Sequence, residues 1–138
     1  MSKFLTELAI ACHPGEEKFW ILREPLVYET DLLTARVGND VCRFRIIVPA
    51  GFCTDMASTA RIPIVNLLWG RRAHREAVVH DYLYAIGADP DVPREIADKI
   101  FRESMISRGK PGWVWFPMYV GVALGGWMFF KKTPVDNC

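Results

Sequence analysis

The sequence predicts an α+β fold: a small N-terminal antiparallel sheet, then an antiparallel helix pair, then a hydrophobic C-terminal helix. Three observations predict it. Residues 1–50 carry short β-branched and aromatic runs cut by turn signals. After Gly51 the apolar residues recur at helical spacing. Strands come first and helices after, the order of α+β chains rather than of alternating α/β ones. With 138 residues the chain has the length of one domain. It is 51% hydrophobic and 24% charged, enough apolar side chain to build its own core. No internal repeat, low-complexity tract or domain-scale linker divides residues 1–138.

The elements follow in order. "FWILREPLVYE" (19–29) and "LLTARV" (32–37) read as strands, the first interrupted at Glu24-Pro25. Gly38-Asn39-Asp40 then predicts a hairpin turn into "VCRFRIIV" (41–48). In that run Cys42, Phe44 and Ile46 alternate with Arg43 and Arg45, the pattern of a half-buried strand, and Pro49-Ala50-Gly51 ends it. Residues 51–70 read as a loop and a short helix, "IPIVNLLW". Residues 71–107 read as the helix pair. Its first helix runs from Arg72 to Ile86 and stops at Gly87. Its second starts at an Asp91 N-cap, with Pro93 in the first turn, and reaches about Ser107.

Residues 112–130, "GWVWFPMYVGVALGGWMFF", hold no charge. About eighteen apolar residues are the minimum for a membrane span, and Gly121-x-x-x-Gly125 is a close-packing motif. Pro117 interrupts the run, and both flanks are basic. The segment is therefore expected to pack against the helix pair or a partner, with a bilayer span as the lesser reading.

Net charge is +1, which gives no case for a nucleic-acid partner. Cys12, Cys42, Cys53 and Cys138 form no C-x-x-C pair, so zinc is not expected. Their spacing is compatible with one or two disulfides and equally with a reducing compartment. No signal peptide is read at the N-terminus, where Glu7 breaks the apolar run. Oligomeric state is left open.

The chemistry concentrates in "VVHDYLYAIGADPDVPREIADKIF" (78–101). His80 shares a helix face with Ala77, Glu76 and Tyr84, and Asp81 lies one step round. On the next helix Asp98 edges an apolar stripe of Ala97, Ile100, Phe101, Ser104 and Met105. Helices joined by a short turn pack antiparallel, which lets Asp98 face His80. A carboxylate on one imidazole nitrogen fixes the tautomer and leaves the other nitrogen as a base. Asp81 needs a partner of its own. The "GFCTDMAS" loop supplies Asp55, and two carboxylates with backbone carbonyls suit a hard cation, calcium above all. The plainer alternative is a satisfied core histidine, with Asp98 capping a helix end and Asp55 an ordinary loop residue. His74 is no co-ligand, because six residues place it roughly 240° round the helix from His80.

Taken together, "VPAGFCTDMAS", "AVVHDYLY" and "REIADKIFRESM" resemble a family of unknown function common in tailed phages and prophages, over roughly Trp20 to Trp127. More distantly they resemble the phospholipase A2 superfamily: a calcium loop, a His-Asp helix with a following tyrosine, and an aspartate on the antiparallel helix. That resemblance implies a phospholipase A2-like helix pair. It implies that His80 activates water, that Asp98 orients it, and that Asp55, the Met56 carbonyl and Asp81 hold calcium. The chain departs from secreted members of the superfamily. Leu83 stands where they have a cysteine, their disulfide framework and long glycine-rich loop are missing, and the N-terminal sheet is not theirs.

Three functions compete. The first is calcium-dependent hydrolysis of phospholipid esters, with the 113–130 segment touching a phospholipid membrane. The second is a non-enzymatic phage tail or neck protein with a degenerate site, the same segment binding other virion proteins. The third and weakest is a metal phosphohydrolase, which needs a further histidine near the metal. The first two imply a phage virion or an infected bacterial cell as the location.

Overall fold

The computed structural model describes residues 2–12, 14–15, 20–54, 74–128, 130–131 and 134–135. Six strands and three α-helices are described: β1 (Lys3–Phe4), β2 (Ile10–Cys12), β3 (Trp20–Leu22), β4 (Leu26–Val37), β5 (Asp40–Val48) and β6 (Cys53–Thr54) precede α1 (His74–Tyr84), α2 (Arg94–Ser107) and α3 (Gly112–Gly125). A 3-10 turn, Gly126–Met128, prolongs α3. The α+β class holds, but the strands form two antiparallel sheets instead of one, ordered β1-β4-β5 and β2-β3-β6.

The β4–β5 hairpin is the longest pairing, from Leu26↔Val48 to Val37↔Asp40. Gly38 and Asn39 close it, with Gly38 at φ +65°, where a side chain is disfavoured. Leu26, Tyr28, Ile46 and Val48 face inward and are buried. Outward, Arg45 Nε pairs with Glu29 at 3.3 Å and Arg43 Nε with Asp31 at 2.6 Å. The expected burial of Cys42 does not occur. The register shifts between Thr30 and Thr34, and residues 38–43 beyond that shift are exposed. Cys12 and Cys42 are free thiols, whereas Cys53 is disulfide-bonded.

The helices begin and end for local reasons. Past α1 the chain turns at Gly87, φ +90°. Lys131 closes the orphan carbonyls there: its amide donates to Tyr84 O at 2.7 Å and its ammonium to Ala85 O at 2.9 Å. Asp91 is not the N-cap of α2. Pro93 holds that position with φ −66° and ψ 158°, and no side chain caps it. Asp91 pairs instead with Lys131 at 3.0 Å. The "IPIVNLLW" helix expected after Gly51 lies outside the described residues.

One core cluster joins the strands to α1 and α2 through Leu22, Tyr28, Ile46, Val79, Leu83 and Ile100, among others. A second joins α2 to α3 through Phe101, Met105, Val114, Met118 and Val122. The hydrophobic segment thus packs on α2 with one face. Among the described residues no helix is long and apolar enough to cross a membrane.

Two carboxylates brace this frame. Glu103 of α2 accepts from Tyr28 Oη at 2.6 Å, from Thr30 Oγ1 at 2.8 Å and from the Asp31 amide at 3.3 Å, tying the helix to β4. Burial, then the Glu103 bond, push the Tyr28 hydroxyl well above the usual tyrosine range. Glu76 of α1 is fully buried. Arg108 Nη1 reaches its Oε1 at 3.4 Å, and its Oε2 has no hydrogen-bond partner among the described residues. Burial raises the Glu76 carboxyl above its ordinary range, against the smaller opposing pull of Arg108 and Lys110.

Glu103→Ala strands two hydroxyls and an amide at a partly buried seam, so it should cost about 2–3 kcal/mol in a denaturant titration. Glu76 should make stability pH-dependent. Its folded pKa lies above the unfolded one, so its stabilising share is full below the usual value of 4.5 and is lost as pH rises through the folded pKa. Glu76→Gln should flatten that decline in melts taken across the acid range.

Candidate functional site

Consecutive residues on a helix point about 100° apart, and α1 uses that angle to give His80 and Asp81 different neighbours. His80 turns toward α2. Its Nε2 lies 2.9 Å from Asp98 Oδ1, and the two side chains are only 2% and 4% exposed. Asp81 is half-buried and turns toward β6, where its Oδ2 accepts from Thr54 Oγ1 at 2.7 Å.

Asp98 is the hub. Tyr84, one turn beyond His80, donates its hydroxyl to the same Oδ1 in a short hydrogen bond. On its own helix Arg94, four residues earlier, brings Nη1 to 3.8 Å from Oδ2. The aromatic walls are close. The His80 ring lies 4.1 Å from that of Tyr84 and 4.8 Å from that of Phe101, centroid to centroid. Burial, followed by the Asp98 hydrogen bond and charge, drives the Tyr84 hydroxyl far above its normal range, so it stays a neutral donor.

A carboxylate only accepts, so the His80 hydrogen bond assigns the proton to Nε2 and leaves the lone pair on Nδ1. Nδ1 is buried and has no hydrogen-bond partner among the described residues. A buried imidazole with one nitrogen anchored and the other unsatisfied can take a proton from a bound water.

The third helix completes the brace. Arg94 Nη1 donates to the Ala123 carbonyl at 2.9 Å. A Cβ at Gly126 would collide with the Tyr84 hydroxyl, so only glycine lets the turn after α3 close over that ring. Sequence reasoning missed Arg94 and Gly126. The i,i+4 spacing of Arg94 and Asp98 was a usable signal. Nothing in the sequence marks Gly126, because its partner is 42 positions away in the chain.

The structure therefore brings His80 and Asp98 together and sets Asp81 against Thr54. Asp55 and Met56 lie outside the described residues. Among the described residues no group of three or more His, Cys, Asp or Glu side chains converges as a metal site. Asp55 follows Thr54 in the chain, which begins the expected loop beside the Asp81 carboxylate.

No curated protein and no solved structure matches this chain. One family model, described as "Protein of unknown function (DUF1353)", matches residues 20–122. That stretch begins with β3, ends within α3 and contains His80, Asp81, Tyr84, Arg94 and Asp98. It covers well over half of the 138 residues, and the chain belongs to this family of unknown function.

Proposed function

We propose that the chain is a phage-type hydrolase with a phospholipase A2-like site, in which His80 activates water against a phospholipid ester. The observation that supports this most is the asymmetry of the imidazole. Nε2 is anchored on Asp98 at 2.9 Å, and Nδ1 is unsatisfied among the described residues. Core packing alone requires no such arrangement, since a buried nitrogen without a partner costs stability.

In this reading Nδ1 takes a proton from water while the water oxygen bonds to the ester carbonyl carbon. Asp98 offsets the positive charge that forms on the ring. Nδ1–H then returns the proton to the departing alcohol oxygen as the carbon–oxygen bond breaks, releasing fatty acid and lysophospholipid. Asp81, with Asp55 and the Met56 carbonyl, would hold calcium. When bound there, calcium would supply Lewis-acid polarisation of the ester carbonyl. Thr54 donates to one oxygen of Asp81 and holds the carboxylate beside β6.

A second reading has its own support. His80 is 2% exposed and lies against the rings of Tyr84 and Phe101. That burial favours a tail or neck component that keeps the helix pair as a scaffold without turnover.

Fatty-acid release from phospholipid vesicles separates the two. The hydrolase reading expects calcium-dependent release, abolished by chelation. His80→Ala should lower it by roughly 10⁴-fold with the fold intact, and Asp98→Asn by roughly 10²-fold, since the imidazole survives. Asp81→Asn should lose calcium binding in calorimetry together with turnover. Release that is equal in native protein and His80→Ala would remove the base from the account. Calcium binding without release from any lipid would leave the scaffold reading.

A further inference from the structure

The third helix shows two apolar faces, and its own core uses one of them. Val114, Met118 and Val122 are buried against Phe101 and Met105 of α2. On the opposite side of the helix wheel lie Trp113, Phe116 and Leu124, with Trp127 just beyond, exposed by 60%, 58%, 75% and 64%. Large aromatic and aliphatic groups cost free energy in water, and four of them in one stripe form a patch rather than scattered surface residues.

Charge identifies what the patch meets. No Asp or Glu occurs between Glu103 and Asp136, while Arg108, Lys110 and Lys131 flank the stripe. Arg102 adds a guanidinium 5.1 Å above the Tyr119 ring. Lys131 is partly balanced by Asp91 and Arg108 by Glu76, which leaves the border cationic. The four exposed side chains present about 500 Å². That area suits shallow insertion into a bilayer surface, and the choice between a bilayer and a protein partner rests on the cationic border. Length excludes a span: 14 residues of helix cover about 21 Å, against about 30 Å of hydrocarbon.

We propose that the outer face of α3 docks flat on an anionic phospholipid surface, its Trp, Phe and Leu side chains entering the headgroup–acyl boundary and its basic border meeting lipid phosphates. This deepens the phospholipid reading of the site, since the docking helix is also the one that receives Arg94 at Ala123 and leads into Gly126 beside Tyr84.

The test is cosedimentation of the full chain with vesicles of phosphatidylcholine alone and of phosphatidylcholine with phosphatidylglycerol, in chelator so that no turnover occurs. Native protein and His80→Ala should both bind the anionic vesicles, more weakly as salt rises. Phe116→Glu and Leu124→Glu should each weaken binding by about tenfold or more, with unchanged circular dichroism and melting temperature because both positions are exposed. Failure of native protein to bind anionic vesicles would overturn the proposal, and so would equal binding by Leu124→Glu. A dimer in sedimentation analysis that Leu124→Glu dissociates would also overturn it and make a second copy the occupant. The two readings fail separately. Binding without fatty-acid release removes the hydrolase and keeps the docking face. Release from short-chain monomeric phospholipid without vesicle binding does the reverse.

Discussion

A carboxylate inside an apolar helix pair costs stability unless it is satisfied, and Asp98 is that carboxylate. Its burial would cost several kcal/mol without partners. It therefore requires the Nε2–H of His80, the hydroxyl of Tyr84 and the nearby guanidinium of Arg94. Each requirement propagates. His80 and Tyr84 stand one turn apart, so α1 must present that face squarely to α2. Tyr84 needs the space that Gly126 leaves. Arg94 bonds the Ala123 carbonyl, which fastens α3 to the first turn of α2. The third helix and the turn after it thus hold the same carboxylate that holds the imidazole.

The same helix spends its other faces differently. Asp81 looks toward Thr54 of β6, so His80 and Asp81, at adjacent positions, do not compete for one partner. Glu76, one turn before His80, is only half satisfied by Arg108 and is held above its normal pKa by burial. Glu76 Oε2 and His80 Nδ1, unsatisfied among the described residues, lie on the same helix, the first to carry the candidate chemistry. The sheets answer from the other side. Glu103 anchors β4 onto α2 with three hydrogen bonds, which fixes α2, and with it Asp98, against the strand layer.

Much of this was legible because it is local. The Gly38-Asn39 turn, the end of α2 at Ser107 and the stripe of Ala97, Ile100, Phe101, Ser104 and Met105 follow from spacing within one element, and that stripe is buried as written. The approach of Asp98 to His80 followed from two faces and one short connection. What spacing could not carry was longer in range or shorter in extent. Strands β2 and β3 have three residues each and β6 has two, too few to show a period of two, so the second sheet was missed. Asp91 read as an N-cap by residue type, but Lys131, forty positions later, takes its carboxylate. Cys42 alternates correctly with its neighbours, yet the hairpin carries it past the end of the core. Arg94 and Gly126 act across helix–helix contacts that no single-element pattern encodes.

The central claim is that Asp98 fixes one tautomer of His80 and so creates a base at Nδ1. Nitrogen-15 spectroscopy of the imidazole ring reads this directly, in mildly alkaline solution where histidine is ordinarily neutral. The account predicts a single Nε2–H form whose proton is hydrogen-bonded to a carboxylate, an unprotonated Nδ1, and a mixture of tautomers in Asp98→Ala. A protonated Nδ1 in the native protein, or the same mixture with and without Asp98, would contradict it.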